Sequence, residues 1–106
     1  MSSQATSEAD SPAGVVPAAP WRVCEVGALP QWRLAVRFND GTRGTVDLAA
    51  IVTSADAGVF AALRDPQFFS RVYLEYGAVT WPNGADLAPD AMHRAIREHG
   101  VWTVEA

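Results

Sequence analysis

The sequence predicts an α+β domain of two layers, in which an antiparallel sheet built from two hairpins carries short helices on one face. Two parts of the chain alternate between apolar and polar residues, as strands do when one face is buried. Each of these parts contains a turn sequence and a returning strand, and the segments around them have helical spacing. With 106 residues, 49% of them hydrophobic, the chain can form one domain with its own core.

The first hairpin is predicted from the clearest alternation in the chain. Residues 21–26 are rich in β-formers, and in residues 32–38 every second side chain is apolar. Residues 39–42, Asn-Asp-Gly-Thr, suit a tight turn because Asn, Asp and Gly tolerate a positive φ angle. Residues 43–48 alternate again and return as the partner strand.

Three short helical segments are predicted between the hairpins. Residues 48–52 allow one helical turn at the end of the strand, and residues 59–64 form a second helix. Pro66 stops that helix, because proline disfavours a helical residue before it. Residues 67–70 begin another turn, whose two phenylalanines are expected to face the sheet.

A second hairpin is predicted in the following stretch. Its first strand alternates, with Val72, Leu74 and Tyr76 expected on one face. Residues 77–78, Gly-Ala, are expected to form the turn, and residues 79–81 the returning arm.

A last helix is predicted to begin near Pro89 and to end at Gly100, since proline suits a first helical turn and glycine a helix end. Its predicted apolar stripe consists of Ala88, Met92, Ala95 and Ile96. Residues 101–104 fit either a short edge strand or an irregular tail.

Composition limits the classes of protein that fit. Residues 1–20 are rich in Ala, Pro and Ser and are predicted to be a disordered tail, which leaves residues 21–106 as the domain. The net charge is -4, so binding to nucleic acid is disfavoured. The lone Cys24 fits a reducing cytosol, and no apolar run reaches the roughly 20 residues that span a membrane. We therefore expect a cytoplasmic protein without a membrane segment.

The most distinctive segment is W-P-N-G-A-D at residues 81–86. As a joint between strand and helix, it would use Gly84 for a left-handed conformation, Asn83 to bond its own backbone and Asp86 to cap the next turn. As a site, it would offer Trp81 as a stacking platform beside the Asn83 amide and the Asp86 carboxylate. The structural interpretation is favoured, because every residue has a conformational role.

Three arginines form a second candidate surface. Arg33 and Arg37 lie on the same face of one predicted strand, and Arg43 lies across the hairpin. A solvated face that discourages edge aggregation is the favoured interpretation. Docking to an acidic partner is the functional alternative.

Metal binding and catalysis have less support in the sequence than an interaction surface. Asp86, Asp90 and His93 have spacing that could bring them to one helix face, but metal sites need three or four well-supported ligands. Cys24 has no base near it in sequence, and no nucleophile elbow or phosphate loop is present. We therefore expect no enzyme activity and no cofactor.

The order of these motifs resembles a known bacterial family. L-R-D-P at residues 63–66, the Phe-Phe pair that follows and the W-P-N-G-A-D segment resemble the domain-of-unknown-function family 2442. The resemblance covers about residues 23–96. It implies a small α+β domain with no established activity or catalytic residues, and a partner-binding role in an arrangement similar to toxin–antitoxin pairs.

The predicted function is a non-enzymatic protein-interaction module, the antitoxin-like or regulatory member of a small bacterial two-protein system. Its expected partner is another small protein, and a homo-oligomer is also compatible. The predicted interaction residues are Trp81, Asn83, Asp86, Arg33, Arg37 and Arg43. The alternative function is a small-ligand or metal-binding domain centred on residues 81–86.

Overall fold

Two β-sheets and three α-helices form the frame of the described part of the chain, which in this computed structural model is residues 19–105. The disordered tail predicted for residues 1–20 lies outside the described residues, apart from its last two. The elements in chain order are β1 Val23–Leu29, β2 Arg33–Phe38, β3 Arg43–Asp47, α1 Ala49–Val52, a 3₁₀ helix Gly58–Arg64, α2 Pro66–Phe69, β4 Tyr73–Glu75, β5 Ala78–Thr80, α3 Pro89–His99 and β6 Val101–Thr103.

The larger sheet has the order β1-β2-β3-β6. β1, β2 and β3 are antiparallel neighbours, which confirms the first hairpin and the predicted α+β class. β6 is a strand and lies parallel to β3, with Val46 opposite Trp102. The parallel pair arises because α3 ends at Gly100, whose left-handed φ of 78° returns the chain beside β3.

Only one face of this sheet is covered. Its inner face carries Leu34, Phe38 and Val46, all fully buried, and Met92 and Ile96 of α3 join the same core. β3 and α3 approach closely at Gly44, where an added Cβ would lie 2.5 Å from Ile96 Cγ2 and 2.6 Å from Gly100 O. The opposite face carries half-buried and exposed side chains.

The turn between β1 and β2 has an unusual backbone. Gln31 and Trp32 both have positive φ angles, 64° and 57°, although neither is glycine. Two hydrogen bonds hold Trp32 there, since its Nε1 donates to Leu63 O at 2.8 Å and its carbonyl accepts from Leu48 N at 2.9 Å. The alternation predicts that the strand begins at Trp32, but in the structure Trp32 belongs to the turn and β2 begins at Arg33.

The short helices connect the two sheets through the core. The segment predicted as a helix at 59–64 is a 3₁₀ helix, and it ends before Pro66 as expected. Asp65 Oδ1 accepts from Gln67 N at 3.0 Å and so caps α2. Leu63 and Phe69 are buried, while Phe68 is only partly buried against the core.

The second hairpin forms a separate two-stranded sheet, and its predicted turn was wrong by one residue. Glu75 pairs with Ala78, so the loop consists of Tyr76 and Gly77. Their φ angles of 53° and 81° are those of a type I′ turn, whose twist matches the flanking strands. Tyr76 therefore does not share the inner face with Val72 and Leu74, but lies 85% exposed at the tip of the hairpin.

Candidate functional site

Trp81 is part of the core. Its side chain is fully buried, its Nε1 donates to Phe69 O at 2.9 Å, and its ring centroid lies 5.8 Å from that of Phe69. The predicted stacking platform is therefore wrong for this residue, because the indole is not accessible to a ligand.

The next residues of the segment make the predicted joint. Asn83 Oδ1 accepts from Ala85 N at 3.1 Å, and its Nδ2 donates to Val59 O at 2.9 Å, which ties the joint to the 3₁₀ helix. Gly84 has a φ of 91°, and its N–H donates to Trp81 O at 3.0 Å. Both backbone roles predicted from the sequence are confirmed.

Asp86 has a different position from the predicted helix cap. The residue before α3 is Ala88, which makes no side-chain cap, so the capping role assigned to Asp86 was wrong. Asp86 instead pairs with Thr80 as a short extension of the second sheet, and its side chain is exposed.

This extension creates a groove on the outer face of the second hairpin. Paired residues share a face, so Tyr73 of β4, Thr80 of β5 and the bridged Asp86 form one row, and Glu75 and Ala78 form the next. The groove has a volume of about 390 Å³, and we call it the ribbon groove. It is lined by Tyr73, Glu75, Tyr76, Ala78, Thr80 and Asp86, together with Trp81, Pro82 and Gly84.

Sequence reasoning missed the two tyrosines of the ribbon groove. No role was predicted for Tyr73, and Tyr76 was expected on the face of Val72 and Leu74, which is wrong. The signal that could have located Tyr76 is the Tyr-Gly pair between two alternating stretches, since a two-residue loop of this kind requires positive φ angles.

The three arginines lie on the open face of the larger sheet, as predicted. Arg37 forms a bidentate ion pair with Glu25 of β1, with Nε to Oε1 at 3.0 Å and Nη2 to Oε2 at 2.7 Å. These hydrogen bonds and the charge of Arg37 hold the pKa of Glu25 below its usual value, with a smaller contribution from Arg43. Arg33 lies opposite Asp47, and its Nε donates to Pro30 O at 3.1 Å.

Arg43 lies directly opposite Arg37 on the neighbouring strand. Phe38 N donates to Thr42 O at 2.8 Å, which makes Phe38 and Thr42 a hydrogen-bonded pair. The neighbouring pair, Arg37 with Arg43, is therefore of the non-hydrogen-bonded type, in which side chains approach closely. Within residues 19–105, Arg43 makes no ion pair shorter than 4.0 Å. In this part of the chain, Glu25 therefore forms an ion pair with Arg37 alone.

A shallow basin of about 810 Å³ lies over this part of the sheet. We call it the basic face and define it by the lining residues Glu25, Gly27, Ala35, Arg37, Arg43 and Tyr73. Within the basin Gly27 and Ala35 lie opposite each other, and both are exposed and carry no large side chain. Three arginines against the carboxylates of Glu25 and Asp47 leave the open face with one positive charge, on a chain of net charge -4.

His93 contacts residues other than Asp86 and Asp90, the two acids considered with it as a metal cluster. Its Nε2 lies 2.8 Å from Asp40 Oδ2 in the turn between β2 and β3, and its ring meets Phe38 edge to face at 4.8 Å. A hydrogen bond from Thr42 N, and then the contact with His93, lower the pKa of Asp40 to about 2. Among residues 19–105, no three potential ligands come together, so Asp86 and Asp90 do not join His93 in a metal site.

Cys24 lies half-buried in β1, next to the point where the register with β2 shifts. In the described residues, no helix has the length and apolar character needed to cross a membrane.

Comparison with known proteins identifies a family and nothing beyond it. No curated protein matches the chain, and no solved structure matches it. The family model described as "Protein of unknown function (DUF2442)" matches residues 23–98, from the start of β1 to the penultimate residue of α3. The chain therefore belongs to the DUF2442 family of proteins of unknown function.

Proposed function

We propose that this protein is a non-enzymatic protein-interaction module that binds an acidic segment of a partner protein on its basic face. The observation that carries the proposal is the pairing of Arg43 with Arg37 across two adjacent strands, with Glu25 as the only carboxylate that neutralises either of them within the described chain.

This arrangement lowers the stability of the isolated protein. Like charges directly opposite each other on neighbouring strands are destabilising, and an opposite charge would stabilise the same position. Glu25 neutralises Arg37 and leaves Arg43 without an anion. A carboxylate from a partner would fill this position, and guanidinium groups bind carboxylates through paired hydrogen bonds.

The shape of the basic face supports an extended ligand rather than a small one. Gly27 and Ala35 lie opposite each other in its floor, so a peptide could lie close to the sheet there without displacing larger side chains. Tyr73, 43% exposed, stands at one side of the basin and offers an aromatic contact of the kind enriched in protein interfaces.

A titration with a defined peptide tests the proposal. We expect a fluorescent peptide of alternating glutamate and glycine to bind the full chain, and Arg43→Glu to weaken this binding by about tenfold. Arg97→Glu, on the exposed surface of α3, is the matched control and should bind as the unmodified protein does. Equal affinity of Arg43→Glu and the unmodified protein would show that the basic face is not the binding surface.

The physiological partner that we propose is another small protein in the bacterial cytoplasm, for which this chain acts as the antitoxin-like or regulatory member. Affinity purification of the tagged protein from its host should recover one stoichiometric partner, and Arg43→Glu should lose it. Recovery of the same partner by both forms would count against the basic face. Sedimentation of the purified chain distinguishes a second copy from a different partner.

A ligand or metal site centred on residues 81–86 is the weaker candidate. Trp81 is buried, and both ends of the Asn83 amide are engaged by the backbone. A metal or metabolite that raises the melting temperature of the protein in a thermal-shift panel would support this site.

A further inference from the structure

We infer that the ribbon groove is a second docking surface, which binds an arginine-bearing segment of a partner protein. This inference extends the proposed interaction function to another face of the molecule. It does not depend on the basic face, because the two surfaces carry opposite charge and share only Tyr73.

The groove has a floor of small residues and walls of large ones. Ala78 and Thr80 of β5 form the floor, and the Thr80 hydroxyl is already engaged with Ala78 O at 3.0 Å. Tyr73 and Glu75 rise from β4 on one side, and Asp86 rises from the neighbouring segment on the other. A side chain entering the groove would therefore lie between aromatic and acidic walls.

Tyr76 lines the groove at the tip of the hairpin. Its φ of 53° is costly for a bulky residue, whereas asparagine and aspartate accept this conformation readily. Because its side chain is 85% exposed, burial does not compensate the cost. Residues with strain of this kind cluster at ligand-binding sites.

The charge of the groove determines the class of ligand. Glu75 and Asp86 are exposed, and neither makes an ion pair within residues 19–105. None of the residues that line the groove is basic. The complement of two carboxylates is a cation, and the complement of exposed tyrosine rings is a flat cation that can stack on them.

Arginine fits both features better than lysine does. A guanidinium group is planar, stacks on aromatic faces and donates paired hydrogen bonds to carboxylates, whereas an ammonium group is compact and more strongly hydrated. The groove therefore favours a protein segment that contains arginine. We expect its affinity for such a segment to exceed its affinity for the same segment with lysine.

Tyr76→Asn is the decisive variant. It removes the ring but places a favoured residue in the turn, so the urea midpoint should stay the same or rise. We expect a fluorescent peptide of alternating arginine and glycine to bind the full chain more tightly than its lysine counterpart. Tyr76→Asn should weaken binding of the arginine peptide by about fivefold, the range of one cation–π contact.

Two further variants keep the test informative if Tyr76→Asn perturbs folding. Glu75→Gln should weaken binding of the arginine peptide, and Glu98→Gln, the same charge change on α3, should not. Arg43→Glu should leave it intact while it reduces binding of the glutamate peptide, so failure of one surface is distinguishable from failure of the other. Equal binding of the arginine and lysine peptides, or unchanged affinity in Tyr76→Asn and Glu75→Gln, would overturn the inference.

Discussion

At the scale of single residues, Trp81 and Trp21 show how position decides the role of the same side chain. Trp81 is fully buried and bonded to the Phe69 carbonyl, whereas Trp21 is 39% exposed and lies beneath the Arg22 guanidinium, 5.8 Å from its ring centroid. The first therefore contributes to folding, and the second is expected to contribute little.

Substitution of each tryptophan by phenylalanine measures this difference. Trp81→Phe removes the shorter of two hydrogen bonds to the Phe69 carbonyl, the other being from Val72 N at 3.3 Å, and it leaves unfilled volume in the core. We therefore expect a loss of about 2–3 kcal/mol in the free energy of unfolding. Trp21→Phe should change it by less than about 0.5 kcal/mol. Urea unfolding of both variants provides the measurement, and similar losses in the two would contradict the assigned roles.

The contacts of Asp40 with Thr42 and His93 make the stability of the fold depend on pH. Hydrogen bonds lower the pKa of Asp40 from 3.8 to about 2 in the folded state. A carboxyl group with a lowered pKa stabilises the fold above its unfolded-state pKa, and this contribution is lost as the pH falls towards the folded-state value. Between about pH 4 and pH 2, stability should therefore fall more steeply in the unmodified protein than in Asp40→Asn.

Asp56→Asn, an exposed carboxylate elsewhere in the chain, is the control for this measurement. Its urea midpoint should follow that of the unmodified protein through the same pH range. If Asp40→Asn also follows it, the hydrogen bonds to Asp40 have no effect on stability.

At the scale of elements, Gly44 sets the distance between β3 and α3. An added Cβ would meet both the Ile96 side chain and the Gly100 carbonyl at under 3.0 Å, and the carbonyl belongs to backbone that is fixed by the helix end. Gly44→Ala should lower the free energy of unfolding by about 1–3 kcal/mol, because the helix must move away from the sheet. Gly27→Ala is the matched control, since nothing lies within 4 Å of its added Cβ. If both variants unfold at the same urea concentration, the close approach does not determine stability.

Elements whose signals are local were predictable from the sequence. The first hairpin combines strict alternation with Asn-Asp-Gly-Thr, and Gly41 has the expected positive φ of 89°. The joint at 81–86 was predictable for the same reason, because Asn83 and Gly84 act on their immediate neighbours. Tyr76 was misplaced because its aromatic side chain continued an alternating pattern at the position where the turn begins.

Elements that depend on distant contacts were not predictable in the same way. β6 becomes a strand by pairing residues 101–103 with residues 45–47, and no local pattern encodes that partner. The burial of Trp81 likewise depends on the Phe69 carbonyl, twelve positions earlier in the chain. The bidentate pair of Arg37 with Glu25 depends on a register shift in β1 that alternation alone does not show.

At the scale of the whole molecule, the two candidate surfaces have a common property. Each contains a feature that is expected to lower stability: Arg43 opposite Arg37 on the basic face, which the charge of Glu25 offsets only in part, and Tyr76 at a left-handed position beside the ribbon groove. Binding sites commonly retain such features because selection for function outweighs the small loss of stability. The family match includes both surfaces, since residues 23–98 contain all of these residues.

The most direct test measures stability and binding together in Arg43→Glu. A glutamate at this position would face Arg37 across the strands, and this favourable pair should raise the urea midpoint slightly. The same substitution should weaken binding of the glutamate–glycine peptide by about tenfold, because it removes the free guanidinium. A variant that gains stability and loses the acidic ligand is the result we expect. A variant that keeps its affinity for the peptide would contradict a binding role for the basic face.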